Sequence, residues 1–225
     1  MRRRGFDVHA YEINNGLEFD LTNPANLKRL ARDARRGRLR GMMVSITCVS
    51  WSQARNRTNV IRTRLQPWGV TNPPKPFSER DVFRLAEGNL QLRRLLPLLR
   101  VCVRHHTPFC LENPASSNIW FVPDMLRLLA HPRVELVTID QCAFGQPWRK
   151  RTKFMIVFCD THDIDELRRY RCQGRGICSF SGKPHVQLTG SDASGRPLAA
   201  RAQTFPRPLC TKLSNLLTSL ILASL

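Results

Sequence analysis

"GMMVSITCVSWS" (residues 41–52) decides how this chain is read. Its first half is apolar and β-branched and opens after a glycine, which predicts a buried strand over 41–47. The strand runs out at Cys48, and Trp51 and Ser52 follow at the head of a basic loop. A cysteine in that place is either a small hydrophobe closing a strand, as free cysteines often are, or a nucleophile set at a strand's end. The neighbouring segments bear on which.

Upstream, "FDVHAYEI" (6–13) predicts a strand, and "LTNPANLKRLARDARRG" (21–37) a helix. Thr22 or Asn23 caps that helix, Pro24 fits its first turn and Gly37 stops it. Downstream, residues 48–80 form a loop rich in Pro, Arg and Asn, longer than a plain connection. A helical stretch follows over 78–106, with Pro97 expected to kink or divide it. "PFCLEN" (108–113) is the next strand, "SNIWFVPDMLRLLA" (117–130) a helix interrupted by Pro123, and "RVELVTIDQCAF" and "TKFMIVFCD" two further strands. Strands alternating with helices predict an α/β fold with a mainly parallel sheet and helices on both faces. Ligands of such sheets bind beyond the carboxyl ends of the strands. Glu12, Cys48 and Glu112 would all fall on that edge. After Asp160 the composition turns to Gly and Ser, and from Pro206 a last helix runs to the end. The expected organisation is a catalytic domain over 1–160, an irregular recognition-like segment over 161–205, and a C-terminal helix over 206–225 that packs back on the domain.

With 225 residues, 42% hydrophobic and 24% charged, the chain has the composition of a globular domain. Its formal net charge of +19 favours a polyanionic partner, and its many arginines suit phosphates and base edges; solvated basic faces are the plainer alternative. Cysteines inside apolar runs such as "PFCLEN" read as reduced, buried thiols, which points to a cytosolic or nuclear setting. "MRRRGFDVHAYEI" lacks the apolar core of a signal peptide, and no apolar run is long enough for a membrane span. No obligate protein partner is evident.

A thiol and a carboxylic acid at one sheet edge of a basic protein suggest covalent chemistry on a nucleic acid base. A thiolate adds to carbon 6 of cytosine when a carboxyl group hydrogen-bonds or protonates N3, and carbon 5 then attacks an electrophilic methyl group. Here the motifs resemble a known family. "ITCVSWS" (46–52) is similar to the Pro-Pro-Cys-Gln-x-Phe-Ser loop of the cytosine-5 DNA methyltransferases, and "LENPASS" (111–117) to their Glu-Asn-Val motif. "RRRGFDVHAYEI" (2–13) resembles the stretch after their glycine-rich first motif, and "FDLTN" (19–23) the acid near the adenine. "FGQPWRKRTKFMIV" (144–157) resembles their Tyr-Gly-Val-Pro-Gln-x-Arg-x-Arg segment, and "AQTFPRPLCTKLSNLL" (202–217) their last motif and its helix.

The resemblance implies a Rossmann-like methyltransferase sheet without its first strand, DNA as partner and S-adenosylmethionine as cofactor. It assigns Cys48 as nucleophile, Glu112 as the group on N3, and Arg149 or Lys150 to positioning the base or loop. Glu12 falls on the ribose-binding acid and Asp20 near the adenine. The glycine-rich turn would precede Arg2, Ile46 and Thr47 stand where the family has two prolines, and Val49 stands in place of its glutamine. A basic nucleic-acid-binding remnant that does not transfer methyl groups is the second reading.

The loop after Cys48 interleaves arginines with Trp51 and Trp68, so Ser52, Arg55 and Arg57 are candidate contacts to phosphates beside an extruded base. Lys183 in "SGKPH" is a further DNA candidate. Cys172, Cys178, His185 and Cys210 offer zinc ligands. Five residues between the first two and six before His185 are not a common zinc spacing, so the expectation is a compact loop of buried thiols without a metal. His105 and His106 read as a polar helix end.

Overall fold

The computed structural model describes residues 5–12, 15–53, 59–158 and 161–224. In chain order its helices are α1 (Pro24–Arg35), α2 (Glu79–Arg104), α3 (Pro123–Leu129), α4 (Thr161–Arg168) and α5 (Arg207–Ala223). The strands are β1 (Met42–Ser45), β2 (Phe109–Pro114), β3 (Val134–Asp140) and β4 (Arg151–Val157).

Local chemistry sets most of these boundaries. The Asn23 side chain accepts a hydrogen bond from the Ala25 amide at 2.9 Å, with Pro24 in the first turn, and Gly37 just past the end of α1 has φ +66°, a left-handed conformation that favours glycine. Ser78 caps α2 in the same way through the Asp81 amide. Pro97 does not divide α2, which runs as one helix of 26 residues. Its ring faces solvent, where water can serve the carbonyl that loses its partner, while buried Leu95, Leu96, Leu98 and Leu99 hold the flanking turns.

The sheet order is β1-β2-β4-β3. β1 and β2 are parallel, whereas β4 is antiparallel to both β2 and β3, so the fold is α/β with a mixed sheet rather than a mainly parallel one. The reason is connection length. A parallel return needs a crossover of roughly a dozen residues or more, and only residues 141–150 separate β3 from β4. The chain therefore turns back, and β4 enters the sheet between β2 and β3. β1, β2 and β3 still point the same way, and their carboxyl ends share one edge.

Residues 6–13 also depart from expectation. Phe6 and Val8 are half-buried and Asp7 and His9 exposed, which is the alternation of a strand, but described residues 6–12 belong to no sheet. Alternation makes a segment compatible with a sheet; a neighbouring strand in register makes it part of one.

Side-chain parity divides the core into two layers. Phe109, Leu111, Met155 and Val157 face α1, α2 and α3. Cys110, Phe154, Ile156, Val137 and Ile139 face α4 and α5, which present Ile164, Leu167, Leu209, Leu213, Leu216 and Leu220. The expected last helix is thus present and docked. Within the segment expected to be irregular, residues 161–168 are helical as α4. No helix among the described residues is long and apolar enough to cross a membrane.

Candidate functional site

The parallel register of β1 and β2 sets Ser45 beside Glu112, and the Ser45 hydroxyl donates to Glu112 Oε2 at 2.8 Å. Beyond β1 the chain makes a tight turn in which the Cys48 carbonyl accepts from the amides of Trp51 (3.1 Å) and Ser52 (2.9 Å). Asn113, next to Glu112, clamps the approach to that turn by donating to the Ile46 carbonyl at 2.9 Å. The turn is held from its far side as well, where Asn118 donates its amide to the Trp51 carbonyl and Ser52 bridges Ser117. Cys48 is half-buried and Glu112 is only 5% exposed.

Lys150 completes the group. Burial, then the nearby charge of Glu112, pushes the Cys48 thiol above its ordinary pKa, and Lys150 opposes the rise. Burial likewise raises Glu112, against the pull of the Ser45 hydroxyl and of Lys150. A carboxyl group biased toward its neutral form can donate a hydrogen bond to a ring nitrogen, which a carboxylate cannot. The Lys150 ammonium also donates to the Ala202 carbonyl at 2.5 Å, tying residues 198–202 to this edge.

Arg149 is turned elsewhere. Its guanidinium lies 3.5 Å from Asp140 Oδ2 and donates to the carbonyls of Cys172 (2.7 Å) and Gly174 (3.4 Å). Asp140, at the end of β3, is fully buried, and Arg151 and Arg171 join Arg149 around it. Arg149 therefore holds the segment after α4 against the sheet edge. Lys183 is exposed on that segment.

Glu12 is exposed on the extended segment before α1. Asp20 has a local task, with Oδ1 accepting from the Thr22 amide at 2.7 Å and both carboxylate oxygens from the Thr22 hydroxyl. Arg55 and Arg57 lie outside the described residues. The loop's arginines do not all face solvent. Arg62 is fully buried, stacks on the Trp51 ring at 3.6 Å and donates to Ser50, Pro67, Leu85 and Asn89. That guanidinium is a strut between the Cys48 turn and α2, not a phosphate contact.

Cys172, Cys178 and His185 converge, but their fourth neighbour is Cys142, on the turn after β3, and not Cys210. Cys210 is exposed on α5. Sequence reasoning missed Cys142 because it lies 30 positions before Cys172, inside what read as the end of a strand. Ser45, Asn113 and Asp140 were missed as well. Asn113 sits in the quoted "LENPASS" motif, whereas the parallel register that pairs Ser45 with Glu112 has no local signal. Among family models, curated proteins and solved structures, none matches this chain.

Proposed function

We propose that this chain is a DNA cytosine-5 methyltransferase-like protein whose cytosine-activating site is Cys48 with Glu112. The observation that carries the reading is the joint placement of a thiol and a buried carboxyl group, whose pKa burial raises, at the carboxyl edge of β1 and β2, with Lys150 beside them. In this mechanism the Cys48 thiolate forms a bond to carbon 6 while neutral Glu112 donates to N3, drawing the displaced electron pair toward the ring nitrogen. The two events favour each other. The Glu112 charge is one of the causes that hold the thiol protonated, so a Glu112 that meets the base as a neutral donor leaves the thiolate easier to form. Lys150 stabilises the thiolate, and Asn113 fixes the turn that presents it.

S-adenosylmethionine, when bound, supplies the electrophilic methyl group. Glu12, exposed on the segment before α1, is the residue that would take its ribose. Asp20 suits its role less well, since its carboxylate is already engaged by Thr22. That engagement, with residues 6–12 standing outside the sheet, favours a second reading in which the chain binds and engages cytosine without methyl transfer.

Two trapping substrates separate the readings. DNA carrying 2-pyrimidinone in place of the target cytosine accepts a thiol at carbon 6 without any methyl donor. A denaturation-resistant adduct is expected with the wild-type chain and not with Cys48→Ser; no adduct with wild type overturns the site assignment. DNA carrying 5-fluorocytosine with labelled S-adenosylmethionine yields a labelled adduct only if the methyl group is transferred. A 2-pyrimidinone adduct without labelled 5-fluorocytosine adduct selects the second reading.

A further inference from the structure

The segment between α4 and α5 packs Tyr170 and Phe205, at its two ends, against the second core layer, and between them it adds no buried apolar side chain to either layer. Ile177, Phe180 and Val186 are exposed, and two isolated bridges, Ile177 with Pro184 and Ser191 with Pro197, are its strand pairings. What it does bury is sulfur. Cys172 and Cys178 are 2% and 3% exposed and meet Cys142, itself 3% exposed, in a small cluster of their own apart from the two apolar layers. The His185 imidazole joins them, and the four ligand atoms lie within 4.8 Å of one another.

The spacings are those of a coordination shell. A tetrahedral zinc with bonds of about 2.3 Å to sulfur sets its ligand atoms about 3.8 Å apart. Cys172 Sγ lies 4.0 Å from Cys178 Sγ and 3.7 Å from His185 Nε2. The backbone is folded around the sulfurs as well. The Ser179 amide and hydroxyl both donate to Cys172 Sγ, at 3.4 and 3.5 Å. At Gly174 a Cβ would stand 1.6 Å from the Ile177 carbonyl oxygen, so this turn between the two cysteines admits only glycine. Three thiols and an imidazole wrapped this closely, in a segment without an apolar core, are poor packing material and a complete ligand set.

We infer that Cys142, Cys172, Cys178 and His185 bind one divalent zinc ion in a closed, structural site. On binding, each cysteine exchanges its S–H bond for an S–Zn bond and gives its proton to solvent, and neutral His185 donates the Nε2 lone pair. Three thiolates and a dication carry a net charge of −1, beside Arg149, which donates to the Cys172 carbonyl, and Arg171, which pairs with Asp140. A second shell is already in position. Asp140 accepts from the Cys172 amide at 2.9 Å, and Arg149 holds the carbonyls of Cys172 and Gly174. Because Cys142 belongs to the turn after β3, the ion pins residues 172–185 to the sheet edge that carries Lys150. The site is independent of the methyl-transfer reading.

The test uses the full chain purified under reducing conditions. Elemental analysis is expected to find one zinc per chain, retained through gel filtration and released by an organomercurial. Cobalt(II) in its place is expected to give the intense visible bands of tetrahedral coordination and near-ultraviolet thiolate charge-transfer bands. Cys178→Ala is expected to lose the metal and Cys210→Ser to keep it. His185→Cys is expected to keep it and shift the cobalt bands as nitrogen gives way to sulfur, which decides the matter even if Cys178→Ala does not fold. Chelation is expected to expose residues 173–198 to limited proteolysis ahead of the rest of the chain. A wild-type chain without zinc and without tetrahedral cobalt bands overturns the inference, as does equal metal loss in Cys210→Ser or an unshifted spectrum in His185→Cys.

Discussion

The charge of Glu112 bears on Cys48, so the thiol reports on the carboxyl group. Since Glu112 raises the thiol and Lys150 lowers it, Glu112→Gln is expected to move the Cys48 pKa down and Lys150→Met to move it up. The pH dependence of iodoacetamide alkylation at the Cys48 peptide measures both, and an unchanged profile in Glu112→Gln would show that the two groups do not sense each other. The same carboxyl group has a stability signature. Its pKa is raised on folding, so its contribution is fully present below the unfolded pKa and is lost as pH rises through the folded one. Glu112→Gln is therefore expected to lose less stability than wild type between mildly acidic and neutral pH in urea titrations. Arg62 is the second informative residue. Its removal takes the donor from the buried carbonyls of Ser50 and Pro67 and from half-buried Asn89 Oδ1. At about 1–3 kcal/mol for each unsatisfied group, Arg62→Met is expected to destabilise by about 3 kcal/mol or more. Arg62→Lys is expected to recover little, because one ammonium cannot reach acceptors arrayed around a planar fork. The denaturation midpoint checks both.

At the scale of elements, α2 contains two residues that ordinarily weaken helices, and the structure gives them opposite weights. Gly88 lies against the Cys48 turn, where an added Cβ would come within 2.4 Å of Ser50 Oγ and 3.0 Å of Trp51 Nε1. Gly88→Ala is expected to destabilise despite alanine's helix advantage of about 1 kcal/mol, because the turn must shift to admit the methyl group. Pro97 faces solvent, and Pro97→Ala is expected to raise stability by about 1 kcal/mol or more, since the restored helical hydrogen bond meets no steric cost. Urea midpoints that move together for the two variants would contradict this assignment. The sequence could separate them only in part, since a glycine and a proline in one apolar pattern look alike as interruptions. Caps were more legible, because Asn23 and Ser78 act on amides two or three residues away. The antiparallel entry of β4 was legible in principle from the ten residues 141–150 that follow β3, a connection too short for a helical crossover. The failure of residues 6–12 to join the sheet was not, because pairing depends on a neighbour and not on the segment's own alternation.

At the scale of the whole molecule, the proposed cytosine chemistry on a chain of formal charge +19 predicts salt-dependent DNA binding. The logarithm of the binding constant is expected to fall linearly with the logarithm of salt concentration, and Lys183→Ala is expected to shallow that slope by about 1 and to weaken binding to all sequences alike. Fluorescence anisotropy across a salt series checks it, and an unchanged slope removes Lys183 from the interface. What the sequence by itself determined about this protein was local or one-dimensional: its charge, the existence of strands within 41–47, 108–113, 133–144 and 152–160, most helices and their caps, and the proximity of Cys48 and Glu112 to the carboxyl ends of two strands, Cys48 falling three residues past β1 and Glu112 inside β2. Periodicity and capping act over a few residues, so they are written in the order of the chain. Only the tertiary structure decided which groups meet. It brought Cys142 to Cys172, Cys178 and His185, gave Arg149 to Asp140 while leaving Lys150 within the field of Cys48, and buried Arg62 among carbonyls. Those outcomes depend on strand register and on where a returning strand enters the sheet. Both are set by the competition of the whole core for burial, which no short stretch of the chain encodes.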